Sequence, residues 1–223
     1  RGAEGDERGV MIVNDRITAY INSLDMGNGE LLDAIAREAR RDGIPVIKKE
    51  TESLLKTLVA ARQPETILEV GTAVGYSALL MSRVMPEHCH ITTIEKYEKR
   101  IPVARENFRR AGQEGRITLL KGDAEQILPS LRGSFDFIFM DAAKGQYIHW
   151  LPWLLRLMRP GAVLVSDNVL QEGDIIESRY AVERRNRTIH SRMREYLYTL
   201  KHMDELETAI LPIGDGVAVS TRR

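Results

Sequence analysis

Ile67-Leu68-Glu69-Val70-Gly71-Thr72-Ala73-Val74-Gly75-Tyr76-Ser77 passes from an apolar strand through a glycine turn into a helix. Glycines at such a turn let the backbone bend tightly and approach a ligand with no Cβ in the way. The spacing is G-x-x-x-G rather than the G-x-G-x-x-G that sets a helix N-terminus on a pyrophosphate. Glu69, just ahead of the turn, would repel a diphosphate and suits a ligand carrying positive charge. On its own the turn fits a ligand-free strand-to-helix connection equally well. Its surroundings decide.

Outward from this stretch, strand and helix alternate. The sequence predicts strands over Thr66 to Val70, His90 to Ile94, Arg116 to Leu120, Phe135 to Met140 and Ala162 to Ser166. Between them it predicts helices over Tyr76 to Val84, Tyr97 to Ala111, Glu125 to Leu131 and Tyr147 to Met158. This order gives right-handed crossovers and a mostly parallel sheet covered on both faces, an α/β architecture. The end departs from the pattern. A long polar helix from about Ile175 to His202 leads to Leu206 to Leu211, a turn at Gly214-Asp215-Gly216, and Val217 to Ser220. So short a turn makes the last two strands an antiparallel hairpin.

Upstream, Ile12 to Leu24, Glu30 to Arg41 and Glu50 to Ala61 carry apolar residues at helical spacing, with Gly43-Ile44-Pro45 as a break. Residues 1–10 are charged and aperiodic, which predicts a disordered tail or an expression remnant, with Met11 offering a natural start. Residues 11–223 then form a single domain, with N-terminal helices over 11–62 and the sheet core over 66–223. The 43% hydrophobic content suffices for a core, and the net charge of zero announces neither nucleic acid nor a membrane. No apolar stretch approaches the roughly 20 residues that span a bilayer. The single cysteine, Cys89, rules out an internal disulfide and fits a reducing cytoplasm.

The strand ends carry the chemistry. Glu95 lies about 20 residues beyond the glycines, where a carboxylate can accept from two ribose hydroxyls; alone, it reads as a solvated partner of Lys96 or Lys99. Gly122-Asp123-Ala124 ends the third strand, where Asp123 can meet an adenine edge, cap the following helix, or do both. Asp141-Ala142-Ala143-Lys144 and Asp167-Asn168 follow the fourth and fifth strands. If those strands are neighbours, three oxygen ligands and a lysine meet at one sheet edge. Carboxylate and amide oxygens suit a hard cation such as Mg²⁺ better than zinc or copper. Asp and Asn at strand ends are also common turn formers, so either pair alone would prove little.

Together, the segments ILEVGTAVGYSALLM, TTIEK, KGDAEQILP, FDFIFMDAAKGQY, LVSDNVL and LPIGDGVAVS resemble the metal-dependent O-methyltransferases that include the catechol and caffeoyl-CoA enzymes. The likeness runs from about Met11 to the C-terminus. It implies a Rossmann-like class I methyltransferase fold, a seven-stranded sheet in the order 3-2-1-4-5-7-6 with the last strand antiparallel. By motif, Glu69, Gly71, Ser77, Glu95, Asp123, Ala124 and Asp141 would hold S-adenosylmethionine, and Ile47 would cover it. Asp141, Asp167 and Asn168 would bind Mg²⁺ or Mn²⁺, with Lys144 and Asp141 catalytic. Similar enzymes are commonly homodimers.

Within the family, the chain resembles most the bacterial branch that methylates 5-hydroxyuridine in tRNA anticodons. Arg179, Arg184, Arg185, Arg187, Arg192, Arg194 and Lys201 face only Glu183 and Glu195 in the segment behind the metal ligands. Arg37, Arg40, Arg41, Lys48 and Lys49 make a second basic patch. Phosphate binding wants such stripes, although charge runs are often solvated helix faces. The alternative acceptor is a small catechol or phenylpropanoid. Tyr147, Trp150 and Trp153, at helical spacing, read as packing, and His149, His190, His202 and Cys89 as ordinary positions. A silent binding module is disfavoured because each expected catalytic position is filled, and a nicotinamide enzyme by the glycine spacing.

Overall fold

The computed structural model describes residues 14–223 apart from Arg179, and leaves aside the side chain of Glu172. The expected tail over 1–10, the start at Met11 and Arg179 of the basic run lie outside the described residues. Helices α1 (Asp15–Ser23), α2 (Glu30–Arg41) and α3 (Lys49–Arg62) precede the alternating core. The core runs β1 (Thr66–Val70), α4 (Tyr76–Ser82), β2 (His90–Glu95), α5 (Ile101–Arg110), β3 (Ile117–Lys121), α6 (Ala124–Ser130) and β4 (Phe135–Met140). It continues through α7 (Tyr147–Leu157), β5 (Met158–Ser166), α8 (Arg187–His202), β6 (Leu206–Leu211) and β7 (Val217–Arg222). The seven strands form one sheet in the order β3-β2-β1-β4-β5-β7-β6. All pairs are parallel except those of β7, which runs antiparallel to both β5 and β6.

Alternation along the strands splits the core in two. Ile67, Phe137, Phe139, Val163 and Val165 point to the face covered by α2, α3, α4 and α5. Leu68, Val70, Ile138, Met140 and Leu164 point to the other face, with Trp150, Leu154, Met193, Tyr196 and Leu200. Central strands buried on both faces read as continuous apolar runs, which is why β1, β4 and β5 stand out in the sequence.

Some boundaries differ from the sequence reading. Helix α5 begins at Ile101 rather than Tyr97, with Pro102 in its first turn, where a missing N–H costs nothing. The long polar helix is shorter than expected. Short 3₁₀ turns occupy Gln171–Ile176 and Arg184–Asn186, and α8 starts only at Arg187. Its buried positions, His190, Met193, Tyr196, Leu197 and Leu200, show where a helical apolar face becomes available. The polar stretch ahead of them offers no such face.

At the sheet end far from the strand C-termini, buried Asp136 ties three segments together. It accepts from the backbone N–H groups of Glu65 (2.8 Å) and Thr66 (3.2 Å). It also meets the guanidinium groups of Arg62 at 3.1 Å and Arg159 at 3.3 Å.

Candidate active site

The strand ladder continues past its formal ends and thereby builds a crevice. Asp141 N–H donates to Val70 O at 3.0 Å, and Asp167 N–H to Met140 O at 2.9 Å. Val169 and Leu170 N–H bond in turn to Gly216 O and Asp215 O, at 3.0 and 2.9 Å. The first residues after β1, β4 and β5 and the β6–β7 turn are thus fixed side by side, at the edge where open α/β sheets bind ligands. Gly71 has φ 108°, and a Cβ there would lie 2.1 Å from the Asp141 carbonyl oxygen. Gly75, at φ 82°, packs so closely that a Cβ would fall 2.5 Å from the Phe108 ring. Only glycine fits either position.

The resulting cleft has a volume of about 760 Å³. Of the expected residues, Ile47, Gly71, Glu95, Asp123, Ala124, Asp141, Lys144, Asp167 and Asn168 line it. Glu69 and Ser77 sit behind that wall, beneath the glycine turn. Ser77 Oγ and Thr93 Oγ1 each donate to the Glu69 carboxylate at 2.5 Å. Burial outweighs those two bonds and pushes its pKa up to about 7. Glu95 accepts from Ala73 and Tyr97 N–H, both at 2.7 Å, which stiffens the carboxylate while leaving lone pairs for a ligand. Asp123 takes the capping role as well, accepting from Glu125 N–H at 3.0 Å.

Asp141 and Asp167 are crowded and almost buried. Burial raises the Asp141 pKa, against the opposing pull of Lys144 and the amide of Asn168. Burial first, and then the charge of Asp141, push Asp167 up to about 7. Asp215 adds to the repulsion on both. Asn168 holds φ 62°, a left-handed conformation that Asn tolerates, and its Nδ2 donates to Asp141 Oδ1 at 2.9 Å. Turning that amide over would present its oxygen instead. The hydroxyl of fully buried Tyr147 is the keystone below. It accepts from Ala142 N–H at 3.1 Å and lies 3.3 Å from the carbonyl oxygens of Met140 and Asp167.

Among the described residues no group of three or more His, Cys, Asp or Glu side chains is gathered to hold a metal. The set at the ends of β4 and β5 is of another kind, two carboxylates and an amide. Its repelling, desolvated negative charge is what a bound dication would neutralise, so these residues fit such an ion.

Several cleft residues have no counterpart among the sequence expectations. Asp215 was legible only as part of a turn, yet it lines the cleft and pairs with Lys48 Nζ at 2.5 Å. That pairing, with Arg41 to Asp42 at 2.9 Å, offsets two of the five cations of the second basic patch. Trp150, read as packing, is buried and also lines the cleft, as does Thr51. His190 is buried rather than an ordinary polar position, and neither ring nitrogen has a partner among the described residues. Its place on the apolar face of α8 follows from the helix phase, which the overextended helix obscured.

The O-methyltransferase sequence family matches residues 25–223. The chain belongs to that family. Catechol O-methyltransferase of Niastella koreensis is 34% identical to it over 169 residues, which span 73% of this chain and 76% of that protein. Caffeoyl-CoA O-methyltransferase of Populus kitakamiensis is 30% identical over 185 residues, 80% and 77% of the two chains. The O-methyltransferase TomG of Streptomyces achromogenes, solved in complex with S-adenosylmethionine, matches with a TM-score of 0.82 at 27% identity, covering 93% and 96%. The seven-stranded methyltransferase fold is therefore shared, and among the described residues no helix is long and apolar enough to cross a membrane.

Proposed function

We propose that this O-methyltransferase moves a methyl group from S-adenosylmethionine to a hydroxyl that has a second oxygen beside it, with 5-hydroxyuridine of a tRNA anticodon as the acceptor. One observation carries the proposal: Asp141, Asp167, Asn168 and Lys144 share a single cleft with Gly71, Glu95 and Asp123. Glu95 suits the ribose hydroxyls of the donor, and Asp123 with Ala124 suits the adenine edge. Glu69, below the turn, favours a cationic amino or sulfonium group above it.

Asp141, Asp167 and Asn168 would hold Mg²⁺, or Mn²⁺, whose charge favours the ionised form of an acceptor hydroxyl. Lys144 takes the hydroxyl proton on Nζ when it is the neutral amine, or as the ammonium stabilises the oxygen once it is charged. The acceptor oxygen then bonds to the methyl carbon as the carbon–sulfur bond breaks, sulfur keeping the electron pair. S-adenosylhomocysteine and a methyl ether leave, and the proton passes to water. Burial of the Asp167 side chain weakens the screening of its charge.

The arginines of α8 support a polyanionic acceptor. Arg192 Nη1 donates to Gly145 O at 3.1 Å, next to Lys144, and Arg194 Nη1 to Ile175 O at 3.3 Å. Those partners are neutral, so the positive charge stays unbalanced while the side chains are fixed. Arg185, by contrast, pairs with Glu183 at 2.7 Å. A tRNA acceptor also places the enzyme in the cytoplasm, and we expect a homodimer. A second acceptor class, small catechols or caffeoyl-CoA-like esters, is favoured by the names of the relatives. Labelled S-adenosylmethionine, Mg²⁺ and either hypomodified tRNA or a catechol panel separate the two. Label in tRNA is expected; label in catechols with none in tRNA overturns the tRNA assignment.

A further inference from the structure

Tyr180 is 83% exposed, more than any other aromatic side chain among the described residues. So open a ring contributes little to packing. It is nonetheless held: the guanidinium carbon of Arg187 lies 5.8 Å from the ring centroid. Arg187 is itself fixed, with Nε donating to Val182 O and Nη2 to Tyr180 O, both at 3.2 Å. Both acceptors are neutral carbonyls, so Arg187 keeps its full charge. The ring stands in water with a fixed cation against it.

This pair lies just ahead of and at the first residue of α8, the helix that packs on the Lys144 turn. Arg187 and Arg192 are five residues apart on α8, about 7.5 Å along its axis. Arg192 reaches Gly145 O, beside Lys144. A Cβ on Gly145 would lie 3.4 Å from Ile189 Cγ1, so α8 packs directly on the Lys144 turn. An RNA loop whose target base enters the cleft can extend along α8 towards its N-terminal end, where Arg187 and Tyr180 lie.

We propose that Tyr180 and Arg187 form a stacking platform for a nucleotide flanking the target in a single-stranded RNA loop, an inference that rests on the tRNA acceptor above. Aromatic rings stack on any base, and arginine adds cation–π and phosphate contacts, so such a platform is tolerant of sequence. The fixed carbonyl bonds pre-orient Arg187, which lowers the entropic cost of ordering it on binding.

Fluorescence anisotropy with an anticodon stem-loop tests this. Tyr180→Ala should weaken binding about tenfold and Tyr180→Phe less than twofold. An abasic nucleotide beside the target should cost the wild type a similar factor and cost Tyr180→Ala almost nothing more. Methylation of the free 5-hydroxyuridine nucleoside by Tyr180→Ala should match the wild type. Unchanged RNA binding by Tyr180→Ala, or an equal abasic penalty in both proteins, overturns the platform while leaving the tRNA acceptor intact. A wild-type protein that ignores the stem-loop but methylates a catechol or a coenzyme A thioester removes the acceptor assignment itself.

Discussion

Glu69 is a carboxylate with no cation beside it, held by two hydroxyls in a fully buried site. Its folded pKa of about 7 exceeds that of an exposed glutamate, so between about pH 4.5 and 7 the native state keeps a proton the unfolded chain has released. Stability must then fall as pH rises through that window and level off above it. The full effect is at most roughly 3 kcal/mol. Glu69→Gln should flatten this part of the profile, as urea unfolding from pH 4.5 to 8 would reveal; parallel profiles for both proteins would contradict it. The same logic of repulsion applies to Asp167, crowded by Asp141 and Asp215. At pH 8 without divalent cations, Asp167→Asn should raise stability by about 1 kcal/mol. It should also lose most of the melting-temperature gain that Mg²⁺ gives the wild type. A variant less stable than wild type without cations would show that the cluster is not strained by its charge.

At the scale of elements, the strands were plain in the sequence because central parallel strands must be apolar on both faces. The glycine turn was plain for a related reason: at Gly71, backbone meets backbone. The start of α8 was not, since an arginine-rich stretch has helical propensity, and the loss of an apolar face shows only as packing. Asp215 was hidden because a hairpin turn explains Gly-Asp-Gly fully, and only the pairing of β7 with β5 brings it to the cleft. Asp136 was hidden too, as one polar residue in the apolar run of β4. It locks β1 to β4 by two backbone bonds and two guanidinium groups, so Asp136→Ala leaves both N–H donors short of a partner and Arg62 without its ion pair, while Arg159 keeps Glu65. We expect a loss of about 3 kcal/mol in denaturant unfolding, with cofactor affinity per folded molecule unchanged. A loss below about 0.5 kcal/mol would place the anchoring elsewhere.

The whole molecule has zero net charge, so its electrostatics lie in distribution rather than sum. Acidic groups converge inside the crevice, while uncancelled arginines line α8 beside it. If RNA docks on those arginines, KM for tRNA should rise steeply between 50 and 200 mM salt, by at least about tenfold. KM for a neutral catechol or free nucleoside should barely move; equal salt dependence for both would remove the basic surface from recognition. The family, the fold and the convergence of strand ends on one cleft are all legible in the sequence, because each motif closes a strand whose position the alternation dictates. The acceptor was legible only through charge, which solvated surfaces share. We expect Asp141, Asp167 and Asn168 to make methyl transfer dependent on a divalent cation. The measurement is transfer of label from S-adenosylmethionine with and without chelator, in the wild type, Asp141→Ala and Asp167→Ala. The wild type should lose turnover in chelator and regain it with Mg²⁺, and Asp167→Ala should bind S-adenosylhomocysteine yet stay inactive under both conditions. Full turnover of all three proteins in chelator would contradict it.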